Sequence, residues 1–193
     1  MGIKAGRTAA YLFSAHSTRL SMTLKLGFLI TQAEDDRTPR WSVLIHRGKY
    51  KKPDGPCEVY WMEDSQPPNG FNWTRRHETR TLESIPNLIG VLHIDDLPVS
   101  VPVHVLHEII ALKCPAERDG WNSAMVVWGR TAWALRVIYY LHDSTDVHFR
   151  LPWRSRDIYM NTRERIDALK AMPRKPGRVR VIPLNPEWDT RMV

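Results

Sequence analysis

Short apolar runs separated by turn-forming residues occupy the chain between residues 24 and 94. Their length suits strands, which are shorter than most helices. The pattern predicts strands at Leu24–Thr31, Trp41–His46, Cys57–Met62, Phe71–Arg80 and Leu88–Ile94. Because the sequence RGKYKKPDGP between the second and third runs contains a strong turn signal, these two strands are predicted to form a hairpin with a long basic loop. The fourth run is polar enough to be expected at a sheet edge.

The hydrophobic period changes to that of helices beyond residue 100. Val101–Lys113 is predicted as an amphipathic helix with Ser100 as its cap, because its apolar residues recur every three or four positions. A second helix is predicted to start near Trp121. Its other faces also carry few charges, so it should be the central buried helix of the domain. Its apolar face consists of Met125, Trp128, Ala132, Leu135 and Tyr139.

The last part of the chain alternates short ordered segments with proline-rich ones. Val147–Pro152 is predicted as a late strand, and Asn161–Ala171 as a charged helix that begins at the cap Asn161. The residues that follow are expected to form an extended arm. Strands followed by helices predict an α+β fold, with a largely antiparallel sheet packed on the central buried helix.

Size and composition indicate one ordinary domain. With 193 residues the chain can bury about two-thirds of its unfolded surface. Cys57 and Cys114 provide neither a disulfide framework nor the four ligands of a structural zinc site, which indicates reduced thiols in an intracellular protein. No apolar run approaches the roughly 18 residues of a membrane span, so a soluble, cytoplasmic protein is expected. The first 21 residues are basic and Ser-rich, and a mitochondrial leader is the alternative.

The net charge of +7 comes from one segment. Between residues 150 and 180 there are ten Arg or Lys and three Asp or Glu, and the rest of the chain is neutral. This basic extension either wraps the domain as a solvated arm or binds an anionic partner, such as nucleic acid or a charged membrane surface. No nucleic-acid motif accompanies the charge.

Three stretches resemble a known family: RWSVLI, CEVYWM and WNSAMVVWGRTAWALRVI. They are similar to small fungal domains of unknown function that are distantly related to NlpC and lecithin retinol acyltransferase proteins. The resemblance implies a permuted papain-like fold over residues 22–142, with a leader at 1–21 and a basic C-terminal extension at 143–193. It also implies a role in fungal specialised metabolism.

The catalytic members of that group carry a His before the Trp of the first motif and a Cys after the Asn of the helix. The resemblance puts Arg40 and Ser123 at these positions. A guanidinium cannot act as a general base at neutral pH, and a serine gains little from a helix N-terminus, so Cys-type chemistry is not expected. One alternative stays open, a hydrolase or acyltransferase in which Ser123 is the nucleophile and a histidine such as His46 is the base.

Another use of the same region is ligand binding without that chemistry. An aromatic-walled cleft with one fixed positive charge could hold a planar or carboxylate-bearing small molecule, either as a binding protein or as an unconventional enzyme that acts through shape. The candidate ligand-binding residues are Arg40, Trp41, Tyr60, Trp61, Trp121 and Asn122. The competing interpretation puts the tryptophans in the core and Arg40 on the surface.

No cofactor motif is found in the sequence, and no metal site is expected. His104, His107 and Glu108 share one turn of the first predicted helix, but a further ligand is lacking. The sequence does not indicate an oligomeric state.

Overall fold

A computed structural model of the chain describes residues 23–32, 38–65, 72–98, 100–117, 128–151 and 155–187. The described part is an α+β fold with a six-stranded sheet and three α-helices, which confirms the predicted class. Its elements are β1 (Leu24–Gln32), β2 (Pro39–Arg47), β3 (Pro56–Ser65), β4 (Asn72–Thr81), β5 (Leu88–Leu97), α1 (Val103–Lys113), α2 (Arg130–Asp143), α3 (Ser155–Ala171) and β6 (Val181–Pro183).

The sheet has the strand order β4-β3-β2-β1-β5-β6. All neighbouring strands are antiparallel except β5 and β6, which are parallel, so the sheet is mixed. The strand β1 lies at the centre between β2 and β5. Its residues from Leu26 to Ile30 are all buried, as expected for a strand covered on both faces.

The two faces of the sheet have different covers. Successive strand residues point to opposite sides, so Phe28 of β1 packs with Trp133 and Leu135 of α2 in the larger core. Leu29 faces the other way, into a smaller cluster that includes Tyr50 of the β2–β3 loop. The helices therefore cover one face, and loops cover the second.

Several predicted boundaries are wrong. The helix α1 begins at Val103 after Pro102, and no side chain caps it, so the predicted cap at Ser100 is not used. The helix α3 begins at Ser155, which places Asn161 in its interior rather than at its start. Its buried positions Ile158, Thr162, Ile166 and Leu169 are three or four residues apart and form one face of the helix.

The late strand is also absent from the described residues, since residues 144–151 form turns and irregular backbone. The proline-interrupted segment expected to be part of an arm contains β6 instead. The helix α2 is central and buried as predicted, but it begins at Arg130 after Gly129. Trp128 and Gly129 form a bend, so the predicted helix does not run continuously from Trp121.

Side chains from β4 and α2 satisfy the carbonyl groups at the end of α1. Arg75 donates to the carbonyls of Ile110 and Ala111 at 3.2 and 2.7 Å. Trp133 donates to the carbonyl of Cys114 at 3.1 Å, and Arg136 donates to that of Glu117 at 3.0 Å. Cations near the last turn of a helix also offset its dipole, which explains why the buried Arg136 is tolerated in the core.

Candidate functional site

The strands β2 and β3 separate from each other before either strand ends. They pair from His46 and Cys57 to Val43 and Tyr60, and no further. Beyond that point β2 stays paired with β1 as far as Pro39, while β3 stays paired with β4 as far as Ser65. The two strand pairs therefore diverge, and a cleft with a volume of about 430 Å³ lies at the opening.

Side chains from both diverging strands line this cleft. Arg40 and Ser42 of β2 lie two residues apart and share a side of the strand, as Val59 and Trp61 do on β3. Leu29 belongs to the same buried cluster as Val59. The cleft thus has an apolar floor, an indole on one wall and a guanidinium on the other. Its other described lining residues include Gln32, Asp64, Arg80, Ile85, Asn87 and Arg130.

Arg40 is an arginine of the cleft lining that can bind a ligand. Its side chain is exposed, and no hydrogen bond or ion pair joins it to another residue in the described part of the chain. Arg80, in contrast, is paired with Glu78. The Oδ1 atom of Asp64, which also lines the cleft, is buried and has no hydrogen-bond partner among the described residues. The cleft therefore favours an acceptor beside Arg40 and a donor near Asp64.

The predicted ligand-binding set is divided by the sheet. Trp41 borders the cleft, but its ring packs on the helical side, with centroids 5.6 Å from Phe28 and 5.7 Å from Tyr159. Tyr60 lies on that side too, stacked on His77 at 4.4 Å. Arg40 and Trp61 are brought together, whereas Tyr60 is not part of the cleft.

Three of the candidate residues, Trp121, Asn122 and Ser123, lie outside the described residues. The helix α2 begins at Arg130, seven residues after Ser123, so Ser123 is not in its first turn. Arg130 itself lines the cleft, so the start of α2 is adjacent to the opening between β2 and β3.

His46 is fully buried beneath the β2–β3 loop. Its ring lies 5.1 Å from that of Tyr50 and is not part of the cleft lining. Burial lowers the pKa of His46, which keeps its ring neutral. Neither ring nitrogen forms a hydrogen bond of normal geometry within the described part of the chain.

Two neighbouring histidines, His77 and His107, lie close to Glu58 on the helical side of β3 and β4. The Glu58 carboxylate accepts hydrogen bonds from Thr79 at 2.7 Å and Arg47 at 3.2 Å, and lies 3.0 Å from Nε2 of His77. Burial opposes ionisation of Glu58, but these hydrogen bonds outweigh it and lower the pKa of the carboxyl. The ring of His107 lies 4.6 Å from that of His77. Glu58 is thus a structural link between the strands.

His104, His107 and Glu108 are exposed residues of α1, and His107 also contacts the ring of His77. Across the residues that the structure describes, no three His, Cys, Asp or Glu side chains are placed to hold a metal ion. Within the same residues, no helix combines the length and apolar character that crossing a membrane requires.

Sequence reasoning missed several cleft residues. Strand alternation could have identified Ser42 and Val59, which are two residues from Arg40 and Trp61. Asn87 has a positive φ of 53° in the turn before β5, and Pro followed by Asn suits a turn whose second central residue has a positive φ. The sequence around Arg130 contains no signal that this residue lines the cleft.

No protein-family model, curated protein or solved structure matches this chain.

Proposed function

We propose that the chain binds a small planar molecule that presents a carboxylate or another strongly accepting oxygen to Arg40. The observation that carries this proposal is the position of Arg40, an exposed guanidinium without a partner in the described residues, beside the Trp61 indole in the cleft between β2 and β3. A volume of about 430 Å³ lies within the range of small-molecule sites.

The chemistry of the cleft supports this ligand class. A guanidinium can donate two parallel hydrogen bonds to a carboxylate, and the half-buried Trp61 offers a flat apolar surface to a ring. Ser42 is nearly buried on the same side of β2 as Arg40 and supplies a hydroxyl. The resemblance to permuted papain-like proteins fits this proposal, since the position of the catalytic His would be held by Arg40. The domain would then be a degenerate relative that binds rather than cleaves.

The test compares two ligands of the same shape with and without a charge. Calorimetric titration with 2-naphthoate and with 2-naphthamide should show tighter binding of the carboxylate. Replacing Arg40 by Gln should weaken 2-naphthoate binding by about tenfold or more, because a hydrogen bond to a charged group contributes roughly 1.5–3 kcal/mol. Binding of the amide should change much less.

Arg163→Gln is the matched control, because it removes an exposed arginine from α3, outside the cleft lining. It should leave both affinities unchanged. The proposal would be contradicted if neither compound binds, or if Arg40→Gln and Arg163→Gln lose the same amount of affinity for 2-naphthoate. Appearance of a new product from a bound ligand would instead assign the cleft to an unconventional enzyme that acts through the same contacts.

A further inference from the structure

A second cavity lies next to the cleft and has a basic wall. Its volume is about 910 Å³, and it lies between the segment from Leu82 to Ile89 and the loop from Arg174 to Arg180. Gln32, Ile85 and Asn87 line both this cavity and the cleft. The two spaces are therefore neighbours along the loop-covered side of the sheet, and one elongated molecule can occupy both.

The basic loop is held in place at both ends. Arg180 donates to the carbonyls of Lys170 and Met172 at 3.3 Å each, which ties the end of the loop to the last turn of α3. The carbonyl of Arg180 also accepts from the backbone N–H of Val91 at 2.9 Å. Between these anchors the chain makes a tight turn. The backbone N–H of Arg178 donates to the carbonyl of Lys175 at 3.1 Å, and Gly177 has a φ of 66°.

The charges of this loop are not compensated within the described residues. Arg174, Lys175 and Arg178 are exposed, and no ion pair joins them to a carboxylate in the described part of the chain. Glu83 on the opposite wall is the one acidic residue among the described residues that line the cavity. Burial, and to a smaller extent repulsion from Arg174, lower the pKa of Arg180, as expected where two cations lie close together. Such a wall attracts anions.

We propose that the two cavities form one site for a nucleotide, with the planar base against Trp61 and Arg40 and the phosphate groups against Arg174, Lys175 and Arg178. This inference rests on the proposed function of the cleft and names its ligand class. A nucleotide combines a stacking ring that has acceptor atoms with a chain of phosphates, and these are the two chemistries that the two cavities offer. The limited volumes favour a small nucleotide over a nucleic-acid strand, which would follow an open basic stripe.

The test measures affinity for each of the four common ribonucleoside triphosphates and for the matching nucleosides by calorimetry on the full chain. At least one triphosphate should bind about tenfold or more tightly than its nucleoside, because each cation–phosphate contact is charge-assisted. The triple variant Arg174→Gln, Lys175→Gln, Arg178→Gln should lose this difference and retain the affinity for the nucleoside. Circular dichroism should show that it remains folded, since the three side chains are exposed.

The β2–β3 loop provides the matched control. Lys49, Lys51 and Lys52 are exposed and line neither cavity, so replacing all three by Gln removes the same charge elsewhere. This control should keep the preference for the triphosphate. Equal loss in the two triple variants would show that only net charge matters, and the assignment of the phosphate groups to the 174–178 loop would be wrong.

The remaining outcomes separate this inference from the proposed function. If 2-naphthoate binds through Arg40 but no triphosphate binds better than its nucleoside, the nucleotide site is refuted and the cleft proposal stands. If a triphosphate depends on the basic loop but not on Arg40 or Trp61, the site that joins the two cavities is refuted, and the 2-naphthoate titration alone decides the cleft proposal. If only single-stranded oligonucleotides bind, with affinity that rises with length and falls steeply with salt, the basic wall is a nucleic-acid surface and the nucleotide site is excluded.

Discussion

At the residue scale, a polar network that includes the buried residues Tyr50 and His93 ties the stability of the protein to pH. Tyr50 Oη lies 3.2 Å from Nδ1 of His93, whose Nε2 lies 3.4 Å from Asp96, and Lys25 donates to the same carboxylate at 2.6 Å. If Tyr50 donates to Nδ1, the neutral ring keeps its proton on Nε2, directed at Asp96. Burial and the charge of Lys25 lower the pKa of His93 to about 4, although Asp96 and Asp95 act in the opposite direction.

We expect the free energy of unfolding to fall as pH decreases from about 6.5 to about 4. Over this range the unfolded chain binds a proton at His93 and the folded chain does not, so protonation favours unfolding, by about 3 kcal/mol at most for this group. His46 contributes in the same direction. His93→Gln should flatten this part of the profile, measured by urea denaturation at a series of pH values.

His142→Gln is the matched control for that profile. This histidine lies near the end of α2 with its side chain 40% exposed, so solvent reaches it in the folded state. The variant should retain the pH dependence of the parent protein. A His93→Gln profile as steep as that of the parent would show that other groups cause the acid sensitivity.

The alternation of side chains along a strand determines which of the candidate residues can line the same cleft. Arg40 and Trp41 are adjacent in a strand, as are Tyr60 and Trp61, so no single face of the sheet can present all four side chains. The pairing of Arg40 with Trp61 could be predicted from the sequence. The width of the space between them could not, because it depends on where β2 and β3 stop pairing.

At the element scale, β6 is joined to the sheet by an unusually close backbone approach. Gly90 of β5 has a φ of 157°, and a Cβ atom placed there would lie 2.5 Å from the carbonyl oxygen of Arg180 and 3.0 Å from two methyl carbons of Leu169. A residue with a side chain would therefore push apart β5, α3 and the start of β6.

Replacing Gly90 by Ala should lower the free energy of unfolding by about 2–3 kcal/mol, because overpacking against backbone cannot be relieved by a rotamer change. Gly177→Ala is the comparison. Its φ of 66° also favours glycine, but no atom lies within 4 Å of the added Cβ, so the loss should be about 1 kcal/mol. Urea denaturation of both variants measures the difference. Equal losses would mean that the contact between Gly90 and Arg180 does not constrain the sheet.

The same element explains why the end of the fold was harder to predict than its beginning. The antiparallel strands are coded by short apolar runs and turn signals, which are local. Parallel pairing of β5 with β6 joins residues separated by all three helices, and Val181–Pro183 alone is too short and too rich in proline to indicate a strand. For this reason the segment was expected to be an extended arm.

At the scale of the whole molecule, the basic extension is built into the fold. Ile158, Ile166 and Leu169 of α3 are buried in the same core as α2, and Leu184 after β6 joins them. Arg165 of α3 also donates to the carbonyl of Pro183 at 2.9 Å. Anion binding by this segment therefore has to be tested by substitution, since deletion would remove part of the core.

Ending the chain after Asp143 should abolish cooperative unfolding. The deletion removes α3 and β6, exposes the edge of β5 and uncovers apolar side chains of the larger core, so most of the modest stability of a domain this size would be lost. A chain that ends after Glu187 keeps every described element and is the control. Thermal denaturation followed by circular dichroism should give a cooperative transition for the control alone. A cooperative transition in the shorter chain would show that residues 23–143 fold without the extension, and that the packing of α3 and β6 adds to a core that is already stable.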